Sequence, residues 1–176
     1  ILSNREIGDY RLWVIPEPDA EPTETYSLEI LTEDETIISL AQHAQIAHAP
    51  AEPYTLRSTD TEVVPIVPAT VDLDPDTVNT KSQGKWVTAY IELPRLYDVG
   101  QIYVASVVLN GTVPAEAKPS AIGDYDRDGV PDLMVKFDRG AVQGVLPTGE
   151  RVRVTVSGQV GSLRFEGNDY IRVMAK

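Results

Sequence analysis

Four aspartates at short, regular intervals are the residues of this chain best suited to bind a metal ion. Asp124, Asp126 and Asp128 alternate along the sequence. Gly129 follows them directly, and Asp132 lies three residues further on. Ca²⁺ binds roughly six to eight oxygen atoms, and carboxylates at alternate positions of a loop can point toward a single ion. The pattern D-x-D-x-D-G-x-x-D therefore predicts a calcium site.

The predicted calcium loop departs from the helix-loop-helix arrangement of an EF-hand. In an EF-hand the last loop position supplies a bidentate glutamate, whereas Val135 occupies that position here and residues 133–138 alternate like a strand. Gly129 allows the chain to reverse, so that the backbone oxygen of Val130 can also face the ion. The predicted ligands are four carboxylates and this carbonyl oxygen, from Asp124, Asp126, Asp128, Val130 and Asp132.

The loop resembles the strand-loop-strand calcium loops of integrin-type FG-GAP repeats. Its first half also resembles the calcium loops of dockerins and thrombospondin type 3 repeats. In those families the loop has a structural role, and the resemblance implies the same role here. The alternative is a solvated acidic turn that binds no metal. Because four aspartates and a glycine share this spacing, we favour calcium binding.

A broader resemblance covers residues 68–174. It rests on the calcium loop and on the runs PATVDLDPDT, GKWVTAYIELP and LNGTVP, which begin at residues 68, 84 and 109. These runs resemble a calcium-loop β-sandwich module of secreted and cell-surface proteins of archaea and bacteria. That family implies an extracellular or cell-surface location and a supporting role without catalytic activity. Residues 1–66 resemble, less specifically, segments that precede such modules.

The elements that must position the loop are strands. Val, Ile and Thr together number 47, and 13 prolines and 12 glycines interrupt the chain as turns between short strands do. Apolar and polar residues alternate in several segments, most clearly where Val152, Val154 and Val156 alternate with polar neighbours. Strands are predicted near residues 10–15, 25–32, 35–40, 54–58, 62–67, 69–73, 86–93, 102–110, 132–138, 151–157 and 169–174.

The predicted fold is all-β, with antiparallel, Ig-like β-sandwich modules and one short helix. Asp138 can cap that helix, residues 140–146 can form it, and Pro147 ends it. The segment VPIVPAT at 64–70 contains two prolines and reads as a stiff connector. We therefore predict an N-terminal β module over 1–67 and a C-terminal calcium-binding module over 68–176.

Charge and composition exclude several function classes. The net charge of −12 disfavours nucleic-acid binding. The longest apolar stretch is far shorter than the roughly 18 residues that a membrane span needs, so no membrane insertion is expected. Cysteine is absent, as are the G-x-S-x-G, P-loop, dinucleotide-binding and H-E-x-x-H motifs. A carboxylate pair for glycoside hydrolysis has no sequence signature, but a small β domain without a large cleft is a poor host for it, so the chain is predicted not to be an enzyme. Because it begins at Ile1 without a methionine, we expect a fragment or a processed piece.

The leading hypothesis is a calcium-stabilised structural or adhesion module of a larger surface or secreted protein, with neighbouring domains or chains of a surface assembly as partners. One alternative is an ancillary carbohydrate-binding module of a secreted hydrolase. Another is a filament or surface-layer subunit in which residues 10–15 complete a neighbour's sheet. The aromatic residues that could stack on a sugar are Trp13, Trp86, Tyr90, Tyr97 and Tyr103.

Weaker candidates have ordinary structural explanations. Asp72, Asp74 and Asp76 alternate, but a proline interrupts them and no glycine follows, which favours an acidic strand end over a second calcium site. The two histidines, His43 and His48, are spaced unsuitably for joint ligation. The sequence Asn110-Gly111-Thr112 is an N-glycosylation acceptor, although Asn-Gly is also what a hairpin turn requires.

Overall fold

Strands make up most of the secondary structure. The computed structural model describes residues 6–32 and 35–175, and within these ranges it contains thirteen strands and one α-helix. The prediction of an all-β fold is confirmed. The chain divides into two units, Ile1–Pro68 with Pro94–Leu96, and Ala69–Leu93 with Tyr97–Lys176.

The first unit contains two small antiparallel groups of strands. One is a hairpin of β2 (Thr25–Leu31) and β3 (Ile37–Gln45), which pair with no other strand in the described part of the chain. In the other group β4 lies in the middle, between β1 and the first residues of β5. The bounds are β1 (Gly8–Leu12), β2 (Thr25–Leu31), β3 (Ile37–Gln45), β4 (Tyr54–Ser58) and β5 (Val63–Asp74), the last of which continues into the second unit.

The second unit is one continuous series of paired strands in the order β10-β11-β7-β5-β13-β12-β8-β9. The pairs β10–β11, β11–β7, β7–β5, β13–β12, β12–β8 and β8–β9 are antiparallel. Strand β6 pairs parallel to β13, which departs from the purely antiparallel prediction. The bounds are β6 (Thr77–Asn79), β7 (Trp86–Glu92), β8 (Val108–Leu109), β9 (Val113–Pro114), β10 (Ala121–Gly123), β11 (Asp132–Asp138), β12 (Gly149–Val160) and β13 (Leu163–Met174).

The two ends of this series of strands are joined, because the residues that follow β9 pair with β11. Immediately after β9, Ala115 forms a bridge with Phe137 of β11. The N–H of Glu116 then donates to the carbonyl oxygen of Lys136 at 2.7 Å. The paired strands from β11 round to β9 therefore form a closed path. The finer prediction, a two-layer Ig-like sandwich, stays a prediction.

The core of the second unit follows the period-two pattern of its strands. Val152, Val154 and Val156 are buried on one face of β12, as their alternation predicts. Phe137 and Phe165 are the largest apolar side chains that are completely buried there. Burial of each such side chain contributes about 1.5–3 kcal/mol, so these long strands form a stable frame for the loops that connect them.

The structure corrects two predicted strand regions. Over 102–110 only β8 is a strand, because the N–H and the Oγ of Ser106 both bond the carbonyl of Tyr103, at 2.8 and 2.6 Å, and close a 3₁₀ turn. The predicted connector at 64–70 instead lies within the first part of β5, a single strand that replaces the separate strands predicted at 62–67 and 69–73. Pro65 lies opposite Leu56 of β4, which shows that the proline is accommodated in the pairing.

The α-helix of the described residues lies where the sequence places it. Helix α1 spans Arg139–Val145, and the carboxylate of Asp138 accepts a hydrogen bond from the N–H of Ala141 at 2.8 Å. This bond satisfies one of the unpaired N–H groups at the helix start. Among the described residues, no helix has the length and apolar character that a membrane crossing requires.

Candidate metal centre

The acidic loop connects two adjacent, paired strands. It leaves β10 after Gly123 and enters β11 at Asp132, and these two residues are paired across the hairpin. On its other side, β11 pairs with β7, where Asp132 lies directly opposite Glu92. The pairing of three strands therefore places a glutamate from a distant part of the sequence beside the aspartates of the loop.

The loop is folded by turns that its own sequence supports. Arg127 and Gly129 both have positive φ angles, 67° and 85°. This conformation costs a glycine little, so Gly129 is suited to its position. The carboxylates bond the loop backbone: Asp124 accepts from the N–H of Gly129 at 3.2 Å, and Asp128 accepts from the N–H of Val130 at 2.7 Å. These bonds hold the loop closed on its acidic side chains.

Five carboxylates converge in two overlapping groups. In one group Asp124, Asp126 and Asp132 each offer an oxygen, and these oxygens all lie within 4.8 Å of one another. In the other group the same holds for Glu92, Asp126 and Asp128. Asp126 belongs to both groups, so it is the centre of the cluster. We refer to these five residues as the acidic cluster.

The negative charges of the acidic cluster repel one another. The pKa of Glu92 is raised to about 7, first by burial and then by the charges of Asp128, Asp126 and Asp132. Burial also raises the pKa of Asp132, which is 5% exposed, although the bond that it accepts from the N–H of Tyr125 at 2.8 Å acts in the opposite direction. A cation bound here would offset this repulsion.

The donor set of the acidic cluster fits a hard cation. Its side chains offer carboxylate oxygens alone, which suits Ca²⁺ and does not suit metals that prefer nitrogen or sulfur ligands. A carboxylate as deeply buried as Asp132 is costly unless it is paired with a cation or well hydrogen-bonded. Calcium would offset part of the negative charge of the cluster and connect β7 to the loop.

The four predicted aspartates all lie in the acidic cluster, and Val130 lies beside it. Val130 is buried and its N–H bonds Asp128, while its carbonyl oxygen stays a predicted ligand. The sequence interpretation missed Glu92. That residue continues the polar side of the alternating segment Thr88, Tyr90, Glu92, and only the register of β7 against β11 brings it to the loop.

The weaker candidates do not form a comparable centre among the described residues. Asp72, Asp74 and Asp76 are exposed and belong to neither carboxylate group, and His43 is also exposed. The side-chain oxygen of Asn110 accepts from the N–H of Thr155 at 2.8 Å, which gives that side chain a structural role in its turn.

Comparison with protein-family models and with curated proteins gives no match for this chain. The acidic cluster is therefore interpreted from its geometry and from the resemblance of its loop.

Proposed function

We propose that the second unit is a non-enzymatic, calcium-stabilised β-sandwich module of a larger surface or secreted protein, with a structural or adhesion role. The observation that carries the proposal is the convergence of Glu92 with four loop aspartates on Asp126. Four of these residues are close in sequence, but the fifth comes from another strand. Nonlocal convergence of this kind couples ion binding to the tertiary fold.

The role of calcium in this proposal is electrostatic. Without a cation, five carboxylates repel one another across a short loop and the end of β7. A bound divalent cation changes that repulsion into attraction. Because the unfolded chain does not hold the five oxygens together, calcium binds the folded state preferentially and adds to its stability. The module would therefore be rigid where calcium is plentiful, as it is outside cells.

The supporting role is consistent with the hydrogen bonds of the cluster. Asp124, Asp126, Asp128 and Asp132 each accept a bond from a backbone N–H of the loop itself. The carboxylates thus already determine the shape of the loop, and calcium would complete their coordination. We assign the cluster no catalytic step.

Thermal unfolding in calcium and in excess chelator tests the proposal. At a free calcium concentration about 100 times Kd the expected stabilisation is about 2.7 kcal/mol, which corresponds to roughly 5–10 °C for a chain of this size. Asp126→Asn should remove the calcium-dependent part, because Asp126 belongs to both carboxylate groups. Asp98→Asn, a substitution of an aspartate outside the cluster, serves as the control. Equal melting temperatures of the wild type in calcium and chelator would contradict the proposal.

The carbohydrate-binding alternative has less support from Trp86 and Tyr90 than from Trp13 and Tyr103, which are 53% and 64% exposed. Lys85 covers the ring of Trp86, with its Nζ 4.5 Å from the ring centre. The ring of Tyr90 packs against Tyr125 at 4.7 Å. One face of each of these rings is thus already in contact, which leaves less surface for a sugar. For the filament alternative, the relevant fact is that residues 8–12 pair with β4 of the same chain.

A further inference from the structure

Strand β1 has one free edge. It pairs with β4 and with no other strand among the described residues. Four of its five residues are exposed. An exposed strand edge presents unpaired N–H and C=O groups in a row, which can pair with a strand of another chain. The sequence on this edge determines which partner strand fits.

The sequence around β1 is complementary to itself in the antiparallel direction. The segment reads Ile-Gly-Asp-Tyr-Arg-Leu-Trp from residue 7 to residue 13. If two copies pair antiparallel with Tyr10 opposite Tyr10, Asp9 of each copy lies opposite Arg11 of the other. In the same register Ile7 lies opposite Trp13. We propose that the free edge of β1 binds a second copy of this chain about a two-fold axis at Tyr10.

The side chains that such a dimer would cover are open to solvent in the single chain. Ile7 is 70% exposed and Trp13 is 53% exposed. Residues 7, 9, 11 and 13 share one face if the strand is extended over this range, because side chains alternate. Each apolar residue would thus meet an apolar residue, and each charge would meet its opposite.

Charge selects this register over its neighbours. Each copy carries a net charge of −12, so two copies repel one another unless opposite charges meet locally. Pairing centred on Asp9 would place two carboxylates opposite each other, and pairing centred on Arg11 would do the same for two guanidinium groups. Only the register centred on Tyr10 joins both carboxylates to both guanidinium groups.

The carboxylate of Asp9 has room for a second guanidinium group. It already binds Arg57 of β4 through two bonds, at 2.9 and 3.0 Å, and a carboxylate accepts roughly four hydrogen bonds. The charge of Arg11 helps to lower the pKa of Asp9 within the same chain, but within residues 6–32 and 35–175 its guanidinium group forms no hydrogen bond or ion pair, so its N–H groups can bond a second copy. Across the two-fold axis, Arg57, Asp9 and the second copy's Arg11 would form a continuous charge network.

Sedimentation velocity of complementary charge variants tests the inference. We expect the wild type to form a dimer, and Arg11→Glu to weaken it at least tenfold because a carboxylate then faces Asp9. Asp9→Lys should also weaken the dimer, since a lysine then faces Arg11. A mixture of the two variants should associate again, because each carboxylate then faces a cation. Arg164→Glu on β13 makes the same change of net charge elsewhere and should leave the dimer intact.

Cysteine cross-linking tests the register separately. The chain has no cysteine, so Tyr10→Cys places a single thiol on the two-fold axis, opposite its own copy. Leu12→Cys places the two thiols about four residues apart along the strands, or roughly 13 Å. We expect oxidation to cross-link the first variant and not the second. A wild type that stays monomeric up to about 1 mM, a dimer indifferent to Arg11→Glu, or equal cross-linking of both cysteine variants would overturn the inference.

Discussion

Replacing Glu92 with glutamine isolates the one member of the acidic cluster that comes from outside the loop. In the metal-free protein, burial and three neighbouring carboxylates raise the pKa of Glu92 from 4.5 to about 7. An acid whose pKa is higher in the folded than in the unfolded chain stabilises the fold while it is protonated. That stabilisation is complete below pH 4.5 and is lost as the pH rises through 7.

The size of the effect follows from this shift in pKa. Between pH 5.5 and pH 8, a shift from 4.5 to about 7 corresponds to about 2 kcal/mol. Because the side chain is only half-buried, screening by solvent reduces this to the order of 1 kcal/mol. Glutamine carries no charge at either pH. The wild type should become less stable between pH 5.5 and pH 8. We expect that decrease in the free energy of unfolding to be about 1 kcal/mol smaller in Glu92→Gln.

Urea unfolding in chelator at the two pH values measures this difference. Glu116→Gln is the matched control, because Glu116 is also half-buried in the second unit but lies outside the acidic cluster. The control should retain the pH dependence of the wild type. If Glu92→Gln and Glu116→Gln depend on pH to the same extent, the reasoning about repulsion in the cluster is wrong.

Glu92→Gln should stabilise the metal-free protein at pH 8 but destabilise the calcium-bound protein, since the variant offers the ion one carboxylate fewer. Calorimetric titration should show a calcium Kd at least about tenfold higher, which corresponds to a loss of about 1.4 kcal/mol of binding free energy. Phe137→Ala should destabilise the second unit by about 3–5 kcal/mol in denaturant unfolding, because the side chain is completely buried. Tyr103→Ala, at an exposed position, should change stability by less than about 0.5 kcal/mol. Asp138→Ala should cost about 0.5–2 kcal/mol by the same assay, because the N–H of Ala141 loses its cap. The assigned core would be contradicted if Phe137→Ala lost no more stability than Tyr103→Ala. The assigned helix cap would be contradicted if Asp138→Ala were as stable as the wild type.

The long strands could be predicted from the sequence because their alternation extends over many residues. Strands β7, β11 and β12 each have at least seven residues, enough for a period of two to be visible. The short strands β6, β9 and β10 were missed, since two or three residues show no period. Their pairing is set by tertiary contacts that local sequence does not reveal.

The candidate site was predicted to the extent that it is local in the sequence. The spacing of the four aspartates indicated a shared loop, and the structure brings all four into the acidic cluster. Glu92 could not be assigned in the same way, because its contribution depends on the register of β7 against β11. The prolines of β5 misled the prediction for a different reason: proline indicates a connector by local propensity, but pairing with neighbouring strands prevails here.

The most direct test of the calcium proposal is equilibrium dialysis of the chelator-treated chain against Ca²⁺, with ion content measured per chain. We expect one calcium ion per chain, bound in a way that depends on Asp126. Magnesium should displace it poorly, because magnesium prefers a smaller octahedral shell with several waters. Wild-type protein that retains no more calcium than Asp126→Asn does would contradict the calcium proposal, and the acidic cluster would then be an ordinary solvated turn.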